Sequence, residues 1–260
     1  MPDGPFRAPP TGGFGRCPVE RLRTVPDVII YGRNAVREAL RGPRTVRRIW
    51  ATKQAARDGW SGAPLEVVSA DDVARRAGSA DHQGVCAEVS AYRYADAAEL
   101  LAAREAVIVA LDEVTDPQNL GAVCRTAECA GATGVVIPER RTAEVTPAVC
   151  KASAGAVEHL RLARVRNLAD FLGEAKAAGF WCYGAAASAS RPYDAPDYRG
   201  PVVVVLGAEG RGLRRRVASV CDELVALPLR GRIDSLNVSA TAAVLLYEIL
   251  QQRSRLDTST

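Results

Sequence analysis

The sequence predicts a doubly wound parallel α/β sheet, preceded by a smaller α/β unit. Three observations carry this. From Glu105 onward, short apolar runs alternate with helix-patterned segments, the rhythm of βαβ units. The runs "AVIVALDEV" (106–114) and "PVVVVLG" (201–207) are almost continuously apolar, as strands covered on both faces must be. Ahead of them, residues 27–92 repeat the alternation with shorter runs and shorter helices.

The small unit reads in order as follows. "YGRNAVREAL" (31–40) is a helix with Ala35, Val36, Ala39 and Leu40 inward. "TVRRIWA" (45–51) and "PLEVV" (64–68) are strands. "SADDVARRA" (69–77) is a helix capped by Ser69, and "GVCAEVSAY" (84–92) is a third strand. Residues 93–104 form a connecting helix or linker. In the larger unit, 105–256, the helices fall at 117–130, 146–155, 167–178, 211–220 and from 238 on. The strands fall at 106–114, 134–138, 162–165, 180–187, 201–207 and 223–229. The last helix carries a stripe of Val238, Ala242, Leu245, Leu246, Ile249 and Leu250, the spacing of a helix packed on a core.

Composition narrows the function classes. The chain has 260 residues, 48% hydrophobic and 25% charged, ordinary for a globular protein. No apolar run is long enough to span a bilayer, and the Pro- and Gly-rich start lacks the apolar core of a signal peptide. Residues 1–26 are therefore expected to be a disordered tail and the protein cytoplasmic. Seven cysteines are scattered without a CxxC pair, which argues against a disulfide framework or a zinc site. Asn237-Val238-Ser239 matches a glycosylation sequon, but nothing else points to secretion. Charge is uneven: residues 1–60 hold twelve Arg/Lys against five Asp/Glu, while residues 105–260 hold eighteen of each. A basic front end suits a polyanion such as RNA, or is simply a solvated arginine-rich surface.

Ligands of such sheets bind beyond the C-terminal ends of the strands. Three polar clusters follow strand ends. In "DPQNLGAVCRTAECAGA" (116–132), Asp116 and Pro117 pattern as N-cap and first helical residue. Leu120, Cys124 and Ala127 form a buried stripe. Arg125 lies roughly 140° from Leu120 and faces away from that stripe, either into solvent or toward a phosphate it can clamp. "LGAEGRG" (206–212) is a Gly-rich turn that is neither a GxGxxG fingerprint nor a P-loop, so a nicotinamide oxidoreductase is disfavoured. "LPLRGRIDSLNVS" (227–239) enters the last helix with more polar groups than one cap requires.

Together and in this order, Asn119 to Arg125, Gly207 to Gly212 and Ser235 to Ser239 resemble the three motifs of the SPOUT superfamily, specifically its TrmH-type RNA ribose 2′-O-methyltransferases. "YGRNAVREAL" and "HQGVCAEV" (82–89) resemble the L30e-like substrate-binding domain of the 23S rRNA guanosine-2′-O-methyltransferase branch. Cys124 departs from the usual aliphatic residue before the arginine. The resemblance implies a C-terminal α/β-knot domain with a deep trefoil knot, which no strand pattern reveals. It implies S-adenosylmethionine as methyl donor, contacted by Gly207, Leu227 and Leu236. It implies Arg125 as the group that binds phosphate and activates the 2′-hydroxyl, within a network of Asn119, Glu209, Ser235 and Asn237. It further implies a homodimer built partly on the final helix, an RNA substrate (rRNA, with tRNA as the alternative), no metal and no membrane. A non-catalytic RNA-binding protein with a vestigial core is the competing class. The intact Arg125, Glu209 and Asn237 argue against it.

Overall fold

A computed structural model describes residues 27–257, with side chains through Ser254. The expected tail, 1–26, lies outside the described residues. The smaller unit comprises β1 (Val28–Tyr31), α1 (Arg33–Arg41), β2 (Val46–Ala51), β3 (Leu65–Val67), α2 (Ala70–Ala77) and β4 (Val85–Val89). Its sheet runs β1-β4-β2-β3, with β4 antiparallel to both neighbours and β3 parallel to β2. Strand β1 is not evident from the sequence, where Tyr31 reads as the start of a helix. The strand ends because Gly32 takes φ +97°, a conformation that suits glycine, and α1 starts only after it. Ala35, Val36 and Ala39 are buried as expected, and the Ser69 hydroxyl caps α2 by accepting from the Asp72 N–H at 3.1 Å.

Residues 93–104 do not hang free. Ala95 bridges to Ala163, α3 (Ala97–Leu101) follows, and Leu100 is fully buried. The larger unit then alternates β5 (Val107–Asp112), α4 (Pro117–Cys129), β6 (Gly134–Pro138), α5 (Pro147–Ala152), β7 (Leu162–Val165), α6 (Leu168–Ala177), β8 (Trp181–Ala185), a two-residue β9 (Arg191–Pro192), β10 (Val202–Gly207), α7 (Arg215–Val220), β11 (Glu223–Ala226) and α8 (Val238–Asp257). All strands of this sheet pair in parallel, in the order β7-β6-β5-β10-β8-β11-β9. β6 and β7 are added on one side of β5, and β10, β8 and β11 on the other, so the order of strand addition, and not the strand direction, switches at β5. After β11 the chain doubles back. Residues 227–237 lie beyond the ends of β8 and β10, and α8 packs on α4 and β10.

One apolar core lies between the large sheet and α4, α5 and α8, and it runs on into the small unit through Ile30, Val36 and Ile49. A second core lies on the opposite face under α3, α6 and α7. On α8, Val238, Ala242, Leu245, Leu246 and Ile249 are buried, but Leu250 is 38% exposed. At 100° per residue Leu250 stands about 120° from Val238. It joins Val244 and Tyr247, also exposed, on the outward face.

The two units are joined by a buried ion pair. The Arg44 guanidinium donates to both carboxylate oxygens of Glu158, through Nε at 2.9 Å and through Nη2. Burial opposes the arginine's charge, but its bonds to Glu158 and the neighbouring Cys150 together offset it, so its pKa is raised.

Burial also holds the interior thiols in their neutral form. Cys86, Cys150 and Cys221 are pushed up to about 11, Cys182 to about 12, and Cys124 rises as well. None of these thiols is a nucleophile at neutral pH. The unfolded chain ionises its thiols near pH ~8.5, so the stabilisation is complete below that pH and is lost as pH climbs toward the folded values. The melting temperature is expected to be level between about pH 6 and 8 and to fall steadily above pH ~9. A scanning-calorimetry series that stays flat into the strongly alkaline range would contradict this.

Candidate functional site

The C-terminal ends of β8, β10 and β11 and the returning segment 227–238 enclose a cleft of about 500 Å³. Its glycine loop has a specific cause. At Gly207 a β-carbon would run into the backbone of Gly212 and Leu213, because the loop folds back on itself. The Gly212 N–H donates to the Ala208 carbonyl at 2.9 Å. Gly210 and Gly212 take φ +74° and +65°, which closes the turn without side-chain strain. Its far end is tied to the sheet: the buried Asp112 carboxylate accepts from the Arg214 N–H at 2.8 Å and from its Nε at 2.7 Å. Asp112 and Arg214 were not among the residues singled out from the sequence. The signal was present, since Asp112 is the one charged residue inside an otherwise apolar β5.

The three motif stretches meet beside this cleft. The Asp116 side chain caps α4 by accepting from the Gln118 N–H at 3.0 Å, with Pro117 at the first helical position. Asn119 therefore falls in the first turn, where it is 8% exposed. Its side-chain oxygen accepts from Asn237 Nδ2 at 2.8 Å, and the same Nδ2 donates to the Glu209 carboxylate. The other end of the Asn237 amide faces α8, where Oδ1 accepts from the Ser239 N–H at 2.8 Å and from the Ser239 hydroxyl. Asn237 is thus at once the cap of α8 and the bridge between the first two motifs. Its N–H₂ and C=O ends are split between the two roles.

Not every candidate joins this bridge. Ser235 lines the cleft, but its hydroxyl reaches only Asp234, at 3.4 Å. Arg125 is exposed, two turns along α4, and has no hydrogen-bond or ion-pair partner among the described residues. The expected network therefore divides into a joined trio of Asn119, Glu209 and Asn237, a separate Ser235 and a separate Arg125. Gly207, Leu227 and Leu236 all line the cleft, together with residues 185–188 and Thr241, which the sequence did not reveal. Among the described residues no cluster of His, Cys, Asp and Glu is suited to a metal ion, and no helix is long and apolar enough to cross a membrane.

The double role of Asn237 gives a test. Asn237→Ala removes the capping oxygen, a loss of about 1 kcal/mol, or roughly 2–4 °C in melting temperature. Asn237→Ser keeps a capping oxygen but loses the same bonds to Asn119 and Glu209, so it should melt above Asn237→Ala and below the parent. Thermal melts in which the two variants are equally destabilised would show that the cap contributes nothing.

Residues 106–247 match the family described as SpoU rRNA Methylase, and residues 29–95 match the family described as RNA 2′-O ribose methyltransferase substrate binding. A Bacillus subtilis protein assigned to the TrmH family of tRNA/rRNA methyltransferases, YacO, is 38% identical over 245 residues, covering 86% of this chain and 96% of that one. An uncharacterized tRNA/rRNA methyltransferase of Synechocystis is 39% identical over 240 residues, and the match spans only 62% of its length. Among solved structures, an AdoMet-bound rRNA methyltransferase from Sinorhizobium meliloti superposes with a TM-score of 0.73 at 28% identity, covering 86% of this chain and 87% of that one. AviRb, a SpoU methyltransferase from Streptomyces viridochromogenes, shares the fold at a TM-score of 0.74 and 23% identity, over 88% of this chain and 91% of that one.

Proposed function

Since the chain belongs to the SpoU rRNA methylase family, we propose that it is an S-adenosylmethionine-dependent RNA ribose 2′-O-methyltransferase acting on a guanosine of 23S rRNA. The observation that carries this reading is the convergence of three motif stretches, the first and last more than a hundred residues apart, beside one cleft through the Asn119–Asn237–Glu209 bridge. The cleft fits the methyl donor. Its volume lies in the range of small-molecule sites. Leu227 and Leu236 supply apolar walls, and the missing side chain at Gly207 lets a ligand lie against backbone. The donor, when bound, supplies an electrophilic sulfonium methyl.

The chain's own residues have the remaining tasks. The 2′-oxygen must be held in line and made nucleophilic, which is mainly a matter of positioning and charge. Arg125, exposed and unpaired among the described residues, is free to hold the target's phosphate and to stabilise negative charge growing on the 2′-oxygen. Arg125 acts here through its charge and not as the base, and the 2′-proton passes to solvent water as the oxygen takes the methyl group. The Asn119–Asn237–Glu209 bridge fixes the start of α4 against the glycine loop, and so sets where Arg125 stands relative to the donor cleft. Ser235 at the cleft wall is a further polar contact for the ribose or the donor.

The rest of the reading has its own supports. The exposed Val244, Tyr247 and Leu250 give α8 an outward apolar face, which suits a homodimer. The return of the chain past the β8 and β10 ends to α8 is the path a trefoil knot requires. Residues 27–92 are the RNA-binding unit, 105–256 the catalytic unit, and the protein works in the cytoplasm. The test is calorimetric titration with S-adenosylmethionine, followed by transfer of labelled methyl to 23S rRNA and, separately, to tRNA. Binding and labelling of rRNA are expected, and Gly207→Ala is expected to lose both. Labelling of tRNA alone would replace the rRNA assignment. Absence of donor binding would refute the enzyme.

A further inference from the structure

A second cleft, of about 440 Å³, opens at the ends of β5, β6 and β7, between α6 and α7. Its lining holds five arginines, Arg140, Arg141, Arg166, Arg214 and Arg216, against two carboxylates, Glu113 and Asp170. The carboxylates are already engaged. Glu113 lies 3.3 Å from Arg141 and 3.5 Å from Arg214, and Asp170 lies 2.7 Å from Arg216. Arg140 and Arg166 are exposed and have no hydrogen-bond or ion-pair partner among the described residues. Guanidiniums gathered round one hollow repel one another unless an anion enters, and their planar donor forks match phosphate oxygens.

The position of this cleft identifies the anion. Gly207 pairs in register with Asp112 across the β10–β5 ladder, and Asp112 is the residue that holds Arg214. The arginine cleft therefore begins one strand away from the glycine loop. A polyanion with one nucleotide at the donor cleft has a charged path leading off along the ends of β5, β6 and β7. A small anion would need no such continuity. Resting on the function proposed above, we propose that this cleft holds backbone phosphates of the RNA strand flanking the methylated nucleotide, with Arg140 and Arg166 as the principal contacts.

The experiment compares the parent with an Arg140→Gln/Arg166→Gln double variant. Neither residue touches the donor cleft. Affinity for transcribed 23S rRNA is measured at several salt concentrations, with S-adenosylmethionine affinity and methylation kinetics alongside. The variant is expected to bind RNA more weakly. Its plot of log affinity against log salt should be shallower by about 1.4, or roughly 0.7 for each single-strand phosphate that an arginine no longer neutralises. Donor affinity and kcat at saturating RNA should be retained, with KM for RNA raised. Parent-like RNA affinity and salt slope would overturn the proposal. So would saturable binding of inorganic phosphate that the variant loses while its RNA affinity stays parent-like, since that assigns the cleft to a small anion. If the parent itself methylates no RNA, the proposed function fails, while the RNA-affinity comparison still decides the cleft.

Discussion

Replacing Arg125 with alanine is expected to lower kcat for methyl transfer by about 10²- to 10³-fold, the usual effect of removing one charge-stabilising donor from an active site, and to leave S-adenosylmethionine affinity near the parent value. The split follows from position. Arg125 is on α4 and is not part of the cleft wall that would meet the donor. It also has no partner within the protein to disturb among the described residues, so its loss should not change the melting temperature. Arg125→Lys retains charge but not the planar fork and should recover only part of the rate. Single-turnover kinetics with donor binding measured in parallel is the check. A parent-like rate in the alanine variant would remove Arg125 from the mechanism. Loss of donor binding would make its role structural.

Glu158→Ala has the largest expected effect on stability. The Glu158 side chain is 1% exposed and that of Arg44 6%, so removing the carboxylate strands a buried guanidinium. Such breaks cost about 3–5 kcal/mol, roughly 10 °C or more in melting temperature for a chain of this size. An Arg44→Leu/Glu158→Leu pair removes both charges together and should recover most of the loss, because a buried ion pair is often no better than apolar packing of similar volume. Thermal melts of the two variants are the comparison, and a single variant as stable as the double would contradict it. The same pair limits what truncation can reveal. Deleting residues 1–92 would strand Glu158 as well as remove the basic front end, so point variants on the small unit are the cleaner probe of RNA affinity.

The sequence was informative wherever the determinant was local. The Asp116–Pro117 start of α4, the Ser69 cap and the apolar β5 and β10 all act over a few residues, and each forms as read. Strand β1 escaped because four apolar residues directly before a helical pattern are ambiguous by periodicity. Leu250 escaped because a stripe extended over three turns drifts round the helix. The site is a different matter. Asn119 and Asn237 lie 118 residues apart, and only the return of the chain past β8 and β10 brings them into contact. The three motifs identify the residues, whereas the division into a joined trio and two separate members is a property of that path. The Arg44–Glu158 pair was hidden for the same reason, since nothing local distinguishes Arg44 from the other arginines of the front end.

Where the methyl group goes distinguishes a ribose 2′-O-methyltransferase from a base methyltransferase. The protein is incubated with methyl-labelled S-adenosylmethionine and 23S rRNA, and the RNA is then hydrolysed in alkali and separately digested to nucleosides for mass spectrometry. A 2′-O-methyl group blocks attack of that oxygen on the neighbouring phosphate. Label is therefore expected in an alkali-resistant dinucleotide, recovered as 2′-O-methylguanosine. Label recovered on a base, with every phosphodiester alkali-labile, would contradict it.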